Sequence, residues 1–236
     1  MHGLEIEDLG LRIGERVLLS GFDLTVGAGE VTTLMGPSGC GKSSLLSHLC
    51  GTLDPAFAAS GQVRLEGVAI DALPPERRRI GILFQDDLLF PHLSVGENLA
   101  FALPPTVRGR RERRARVEAA LREADLAGFA RRDPATLSGG QRARVALMRT
   151  LLAEPRALLL DEPFGKLDQG LRQRVRSFVF EHARAAGLPT LLVTHDPADA
   201  AATGGQVVDF PQLVPTASDR LLRLRNSWPR QTRPTG

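Results

Sequence analysis

Residues 31–50 read VTTLMGPSGCGKSSLLSHLC, and this stretch decides the fold. Its first part, residues 31–35, is rich in β-branched side chains and predicts a strand. The glycine-rich loop that follows leads into a predicted helix from Ser43 to about Cys50, and Gly51 is a suitable stop. A strand, a tight loop and a helix in this order indicate an α/β fold.

The loop, residues 36–43, matches the phosphate-binding pattern G-x-x-x-x-G-K-[ST] in full. Its glycines allow backbone N–H groups to curl around a phosphate, and the helix N-terminus adds the positive end of its dipole. Lys42 supplies a compact positive charge to the β- and γ-phosphates, and the Ser43 hydroxyl can bind Mg²⁺. The motif predicts a nucleoside triphosphate site, which kinases, GTPases, helicases and transport ATPases share.

Strands and helices alternate along the rest of the chain, which predicts a mostly parallel sheet. Helical periodicity runs from about residue 91 to 152, including the segment 110–130, and indicates an inserted helical subdomain. The residues from Ser227 onward are expected to be disordered. Predicted strands lie at residues 11–19 with a turn at Gly14, 22–26, 62–65, 80–84, 157–160, 191–194 and 206–210.

Composition excludes several classes of protein. With 42% hydrophobic and 24% charged residues in 236, the chain has the composition of a soluble globular protein. No apolar run approaches the ~18 residues of a membrane span, and residues 1–8 lack the features of a signal peptide. Cys40 and Cys50 are expected to lie about 15 Å apart, too far for a disulfide, so a reduced cytosolic protein is expected.

A second anion site is predicted at residues 137–141, which read LSGGQ and precede a helix that runs to about Leu152. Ser138 can cap that helix, and Gly139 and Gly140 expose backbone N–H groups at its N-terminus. Taken alone, a capped helix start is equally well explained as purely structural.

Two acids follow the apolar strand 157–160. Asp161 can hold the Mg²⁺ shell, and Glu162 can polarise a water for attack on the γ-phosphate. The alternative is a solvated turn, which the phosphate loop upstream makes less attractive.

The order of these motifs resembles that of the ATP-binding subunits of ABC (ATP-binding cassette) transporters over residues 3–210. Residues 36–43 resemble the Walker A motif, 158–162 resemble the end of Walker B, and 137–141 are identical to the family signature. Gln85 falls at the Q-loop, residues 165–168 resemble the D-loop, and His195 falls at the switch histidine.

The resemblance implies a P-loop NTPase (RecA-like) core with an N-terminal antiparallel β-subdomain and an inserted helical subdomain at about 88–152. The ATPase domain would span residues 1–210, followed by a C-terminal tail, 211–236. It also implies a head-to-tail homodimer that sandwiches two ATP molecules between the phosphate loop of one subunit and the signature of the other.

The resemblance assigns roles residue by residue. Glu162 would be the general base or water-positioning group, and His195 would contact the γ-phosphate; Gln85 and Lys42 complete the catalytic set. Asp161 and Gln85 would serve Mg²⁺ together with Ser43, and Asp168 would bridge the subunits. The implied nucleotide-binding residues are Gly36, Pro37, Ser38, Gly39, Cys40, Gly41, Lys42, Ser43, Ser44, Ile13, Ser138, Gly139, Gly140, Gln141 and Asp168.

The chain departs from the family pattern at Ile13, where an aromatic residue usually stacks on adenine. Apolar contact is retained there, but a stacking contribution of about 0.5–1.5 kcal/mol is lost. Selectivity for adenine over other bases is therefore an open question.

Residues 90–101 are similar to the segment of importer subunits that docks a coupling helix of the permease. This favours a bacterial importer of the thiamine, iron, polyamine or sulfate type, with the thiamine type as the nearest match. The subunit would then lie at the cytoplasmic face of the inner membrane. Its partners would be integral-membrane permease subunits, with a periplasmic solute-binding protein as a further candidate. The alternative is that Phe90, Leu93 and Leu99 are simply core residues.

Other functions remain open for the chain, namely an ABC exporter ATPase or a non-transport ABC ATPase in iron–sulfur assembly or on DNA. The arginines between Arg108 and Arg116 could form a nucleic-acid patch, but acids are interspersed among them. A solvated helix face explains them more simply, so a nucleic-acid partner is not expected.

Overall fold

The computed structural model describes residues 3–165 and 167–211. Lys166 and the predicted tail beyond residue 211 lie outside the described residues. Along the chain the elements are β1 (Leu4–Ile13), β2 (Arg16–Val26), β3 (Val31–Met35), α1 (Lys42–Cys50), β4 (Phe57–Leu65), β5 (Val68–Ala69), α2 (Pro75–Arg78), β6 (Ile80–Phe84), α3 (Val95–Ala102), α4 (Arg110–Glu123), a 3₁₀ turn (Pro134–Thr136), α5 (Gly139–Leu152), β7 (Ala157–Asp161), α6 (Gln169–Ala185), β8 (Thr190–Thr194), α7 (Pro197–Thr203) and β9 (Val207–Asp209).

An antiparallel sheet of four strands is formed in the order β2-β1-β4-β5. Gly14, with a φ of 55°, turns the chain between β1 and β2. Strand β4 is longer than the predicted segment 62–65, because it begins at Phe57. Its first residues pair with β1, so Phe57 lies opposite Ile13.

A parallel sheet of five strands follows the order β6-β7-β8-β3-β9. In its register Phe84 lies opposite Asp161, Asp161 opposite Val193, and Met35 opposite Thr194. The carboxyl ends of four neighbouring strands therefore meet at one edge. The predicted α/β fold is confirmed, and it is that of a P-loop NTPase.

Both faces of the parallel sheet are covered. Leu159 of β7 packs in the cluster that includes Leu45 of α1 and the inner face of the antiparallel sheet. Its neighbours Leu158 and Leu160 point the other way, into the cluster that includes helices α3 to α6. Strands buried on both faces lack polar alternation, which explains the continuous apolar run at 157–160.

Three helices, α3, α4 and α5, lie between β6 and β7. The prediction of helical structure over 110–130 is wrong beyond Glu123, where α4 ends. Asp125 and Gly128 adopt positive φ values of 56° and 81°, which break the helix, and the Leu126 N–H turns back to Leu121 O at 2.7 Å. Leu126 is thereby buried in the core, although it lies after the end of the helix.

Two of the arginines in the 108–116 cluster have contacts within this helical region. Arg113 donates to the carbonyls of Ala100 and Val107, and Arg116 pairs with Glu154 at 3.1 Å. Over the described ranges, every helix falls short of the length or the apolar character that a membrane span requires.

Candidate active site

The phosphate loop joins β3 to α1. Gly39 and Gly41 have φ values of 77° and 113°, a region that favours glycine. Lys42 is only 5% exposed, and its Nζ donates to Gly36 O at 2.7 Å and Pro37 O at 2.8 Å. The ammonium group is therefore held beneath the loop by the loop's own carbonyls.

Phe210, the residue that follows β9, packs against the phosphate loop. Its N–H donates to Met35 O at 2.6 Å, and its ring lies 6.0 Å from that of Phe22. A Cβ atom on Gly36 would come within 3.1 Å of the Phe210 Cβ and 3.2 Å of the Cys40 Sγ. Glycine at position 36 thus allows a close approach that a larger residue would crowd. In the sequence, the only signal for Phe210 is its place in a predicted strand.

Asp161 ends strand β7 beside the first residues of α1. The Ser43 hydroxyl donates to Asp161 Oδ2 at 3.4 Å. Burial raises the pKa of Asp161, and the neighbouring Glu162 charge raises it further, while the Ser43 hydrogen bond and Lys42 oppose the shift. The ionised form of Asp161 is therefore disfavoured by its surroundings.

Glu162 and His195 form a pair across adjacent strand ends. The Glu162 N–H donates to Val193 O at 2.9 Å, which fixes the turn after β7 against β8. Glu162 Oε1 lies 3.0 Å from His195 Nδ1, and because a carboxylate only accepts, Nδ1 carries the proton in this contact. His195 is 63% exposed and Glu162 26%, so the pair borders solvent.

A cleft of about 690 Å³ lies in front of the loop and the two acids. It brings together many of the residues predicted from the sequence, while Gly36, Pro37 and Cys40 belong to the loop that forms its floor. The predicted residues that line it are Ile13, Ser38, Gly39, Gly41, Lys42, Ser43, Ser44, Gln85, Asp161 and Glu162. Residues missed by sequence reasoning are Arg16, Leu18, Phe57, Phe84, Asp86 and Leu88.

The signature residues lie elsewhere. Among the residues that the structure describes, the cleft lining includes neither Ser138–Gln141 nor Asp168 nor His195. Ser138 caps α5 as predicted, and Gln141 completes a capping box: Ser138 N–H donates to Gln141 Oε1 at 2.9 Å and Gln141 N–H to Ser138 Oγ at 3.3 Å. Asp168 caps α6, since its Oδ1 accepts the Leu171 N–H at 3.0 Å.

The two glycines of the signature differ in their surroundings. A Cβ atom on Gly140 would lie 2.3 Å from Leu171 Cδ1, so Gly140 lets α5 and α6 approach closely. A Cβ atom on Gly139 would find its nearest neighbour, in Leu167, at 3.7 Å. Gly140 therefore has a packing role, whereas a Cβ atom on Gly139 would make only ordinary van der Waals contacts.

Helix α5 is tied to the segment that follows Gln85. Arg142 Nε donates to Asp87 Oδ2 at 3.2 Å, and its Nη1 donates to Leu137 O at 2.8 Å. Further along the helix, Arg149 Nη1 donates to Leu88 O at 2.8 Å. The signature helix and the Q-loop segment are thus linked by two arginines.

A second cavity, a groove of about 510 Å³, adjoins this segment. Phe84, Asp86 and Leu88 line both the groove and the cleft. At the far side Phe101 is 69% exposed, and its ring lies 4.9 Å from that of Phe90. We call the apolar surface of Phe84, Leu88, Phe90 and Phe101 the groove surface. Leu99, in contrast, is fully buried in the core.

Comparison with known proteins identifies the family. The family model described as ABC transporter matches residues 19–165. The chain belongs to the ABC transporter family. It is an ATP-binding ATPase subunit of that family, and the resemblance read from the motifs is confirmed.

The ABC subunit is 51% identical to the uncharacterized ABC transporter ATP-binding protein YnjD of Escherichia coli (strain K12), over 88% of this chain and 94% of the relative. It is 39% identical to the Fe(3+) ions import ATP-binding protein FbpC 1 of Haemophilus influenzae, over 87% of this chain and 62% of that relative. It is 41% identical to the spermidine/putrescine import ATP-binding protein PotA of Pseudomonas aeruginosa, over 89% of this chain and 57% of that relative. The chain therefore spans only about three-fifths of these two importer relatives.

Proposed function

We propose that this ATPase subunit drives solute import, and that two copies close head to tail on two ATP molecules in each cycle. One observation carries the dimer: the cleft holds the phosphate loop and both acids, but the signature residues lie outside it. The N-terminus of α5 is a second anion site without access to its own chain's cleft. A second copy would bring that helix to the γ-phosphate.

The residues of the cleft divide the chemical work. Lys42 and the loop N–H groups would bind the β- and γ-phosphates, with Lys42 exchanging its bonds to Gly36 O and Pro37 O for phosphate oxygens. Glu162 would orient or deprotonate the attacking water. His195, which lies just outside the cleft lining and is hydrogen-bonded to Glu162 Oε1, would hold that carboxylate in place beside the γ-phosphate.

The residues present fit Mg²⁺. The Ser43 hydroxyl and the Asp161 carboxylate are hard oxygen donors that already touch, and Gln85 lines the same cleft. When bound, Mg²⁺ would neutralise the charge that develops on the phosphate oxygens.

The groove surface supports a permease partner. An exposed apolar patch of this kind marks an interaction site, and it shares Phe84 and Leu88 with the nucleotide cleft. A helix of an integral-membrane permease seated there would be coupled directly to the state of the cleft. The subunit would then sit at the cytoplasmic face of the inner membrane, with a periplasmic solute-binding protein delivering the solute.

Import, rather than export, is supported by the relatives whose names state iron or spermidine/putrescine import. The permease and the solute-binding protein would choose the solute.

Because Phe101 belongs to the groove surface, replacing it by Ser should reduce recovery of the permease with the subunit when the two are co-expressed. Normal recovery would contradict the docking site.

A mixing experiment tests the composite site. Lys42→Ala should inactivate the phosphate loop, and Gly139→Asp should inactivate the signature, because it places a negative charge at the N-terminus of α5, where an added Cβ atom meets no atom closer than 3.7 Å. Each variant alone should lack ATPase activity. In a heterodimer of the two, one site would combine an intact loop with an intact signature, so mixing them should restore phosphate release.

The matched control mixes Lys42→Ala with Glu162→Gln. Both changes damage the cleft side of a site, so each site of that heterodimer keeps one defect and activity should stay absent. If the first mixture forms heterodimers and remains inactive, the head-to-tail arrangement is wrong.

A further inference from the structure

Three residues form a row across the antiparallel sheet at the edge of the cleft. Ile13, the last residue of β1, lies opposite Arg16 of β2 on one side and opposite Phe57 of β4 on the other. Directly opposed residues project from the same face of a sheet, with Cβ atoms about 4.5–5.5 Å apart. The row therefore presents one continuous wall.

All three residues of this wall line the nucleotide cleft. Ile13 is 37% exposed, so its apolar surface is open to a ligand. Phe57 is half-buried, which anchors the ring while it still lines the cleft. An anchored, partly exposed aromatic ring loses little conformational entropy when a flat ligand packs on it.

The position of the phosphates decides which part of the nucleotide meets this wall. In the proposed function residues 36–43 and Asp161 would hold the phosphate end, and Phe84, the other aromatic residue of the cleft lining, lies opposite Asp161 in the sheet at that end. The base must extend away from the phosphates, toward the antiparallel sheet. Phe57 is the aromatic side chain that the cleft offers there.

We propose that Phe57 supplies the aromatic face on which the nucleotide base stacks, with Ile13 beside it providing apolar contact only. An isoleucine has no π face, whereas a phenylalanine ring gains from offset stacking on a purine. The proposal rests on the proposed function, because it requires that the cleft binds ATP. Stacking tolerates any base, so Phe57 strengthens binding of ATP and GTP alike.

Calorimetric titration of the full chain with ATP and with inorganic tripolyphosphate separates base from phosphate contacts. Phe57→Leu keeps the apolar volume but removes the ring, so the ATP dissociation constant should rise roughly three- to tenfold. Tripolyphosphate affinity should stay at the wild-type value. Val68→Ala, an exposed change on β5 of the same sheet, is the control and should alter neither.

Two further variants distinguish stacking from a structural effect. Placing a ring at the neighbouring position in Ile13→Tyr with Phe57→Leu should recover ATP affinity. In Phe57→Trp combined with Trp228→Phe, ATP should quench the emission of the single tryptophan, and tripolyphosphate should not.

The outcomes separate the two hypotheses. If the wild-type chain binds neither ATP nor tripolyphosphate, the proposed function fails. If the wild type binds ATP and Phe57→Leu binds it equally well, only the stacking role of Phe57 is overturned.

Discussion

Replacing Arg78 by Met should destabilise the fold at the helix that carries the phosphate loop. Arg78 is buried, and its guanidinium donates to four backbone carbonyls. Nη1 bonds His48 O at 2.6 Å and Leu49 O at 3.0 Å, in the last turn of α1. Nε and Nη2 bond Leu73 O at 2.9 Å and Asp71 O at 2.7 Å. Arg78 thus joins the end of α1 to the chain that leads into β6.

The magnitude follows from the carbonyls that lose their donor. A buried polar group left without a partner costs about 1–3 kcal/mol. The His48 carbonyl also accepts the Gly51 N–H, so the loss falls on Leu49, Asp71 and Leu73. Burial lowers the pKa of Arg78, which shows that its charge is held at a desolvation cost. Because Arg78→Met removes that charge and its cost, we take about 1 kcal/mol, the low end of the range, for each carbonyl. The expected loss is about 3 kcal/mol, or a Tm decrease of about 6–12 °C.

Equilibrium urea unfolding, followed by circular dichroism, measures this loss. Arg77→Met is the matched control, because Arg77 is an exposed neighbour on the same short helix, and its effect should stay within about 0.5 kcal/mol. Arg78→Lys should fall between the two, since a single ammonium cannot reach every acceptor of the planar guanidinium. If Arg78→Met costs less than about 1 kcal/mol, or no more than Arg77→Met, the guanidinium does not secure α1.

Three other substitutions address the site. Glu162→Gln should keep ATP affinity, accumulate the ATP-bound dimer and lower phosphate release by about 10²-fold or more; full hydrolysis would remove Glu162 from its role. Asp161→Asn should raise the Tm of the nucleotide-free protein at neutral pH. The folded-state pKa of Asp161 lies above the usual 3.8, so the stability of the wild type falls as the pH rises from 3.8 through that folded-state pKa, and the variant escapes this loss. An unchanged Tm and an unchanged pH dependence of stability would contradict this. Gly140→Ala should lower stability by about 1–3 kcal/mol relative to Gly139→Ala in thermal unfolding, because only the former meets Leu171, and equal stabilities would refute the packing role.

Much of the fold could be predicted because its signals are local. Strands β3 and β6 have the predicted bounds, and α1 begins one residue before its predicted start and stops at Gly51. The first half of β4 was missed since residues 58–61 are small or polar, and only their pairing with β1 makes them a strand. The predicted end of α4 lies too late because residues 124–130 keep alanine and leucine, which favour a helix, although the backbone leaves the helix after Glu123.

The sequence indicated the motifs of the candidate active site, but it did not indicate which of these motifs line the same cleft. The phosphate loop and Asp161-Glu162 are contiguous strings, and strand ends in a parallel sheet bring them together. The Ile13–Phe57 pair and the Arg142–Asp87 contact join residues far apart in the chain through register and helix packing. Such contacts leave no periodic trace in a single sequence, so the wall of the cleft and its link to α5 required the structure.

The backbone at Glu162 shows why the site is costly to the fold. Its φ of 47° is left-handed, which costs a non-glycine residue roughly 1–2 kcal/mol. Hydrogen bonds from Glu162 N–H to Val193 O and from Gly165 N–H to Glu162 O hold the turn in that conformation. The consequence is a carboxylate that meets His195 across the strand ends. Asp161 next to it carries a charge that burial disfavours, so two consecutive residues carry a local cost in stability at the position where we propose that the cation and the attacking water bind.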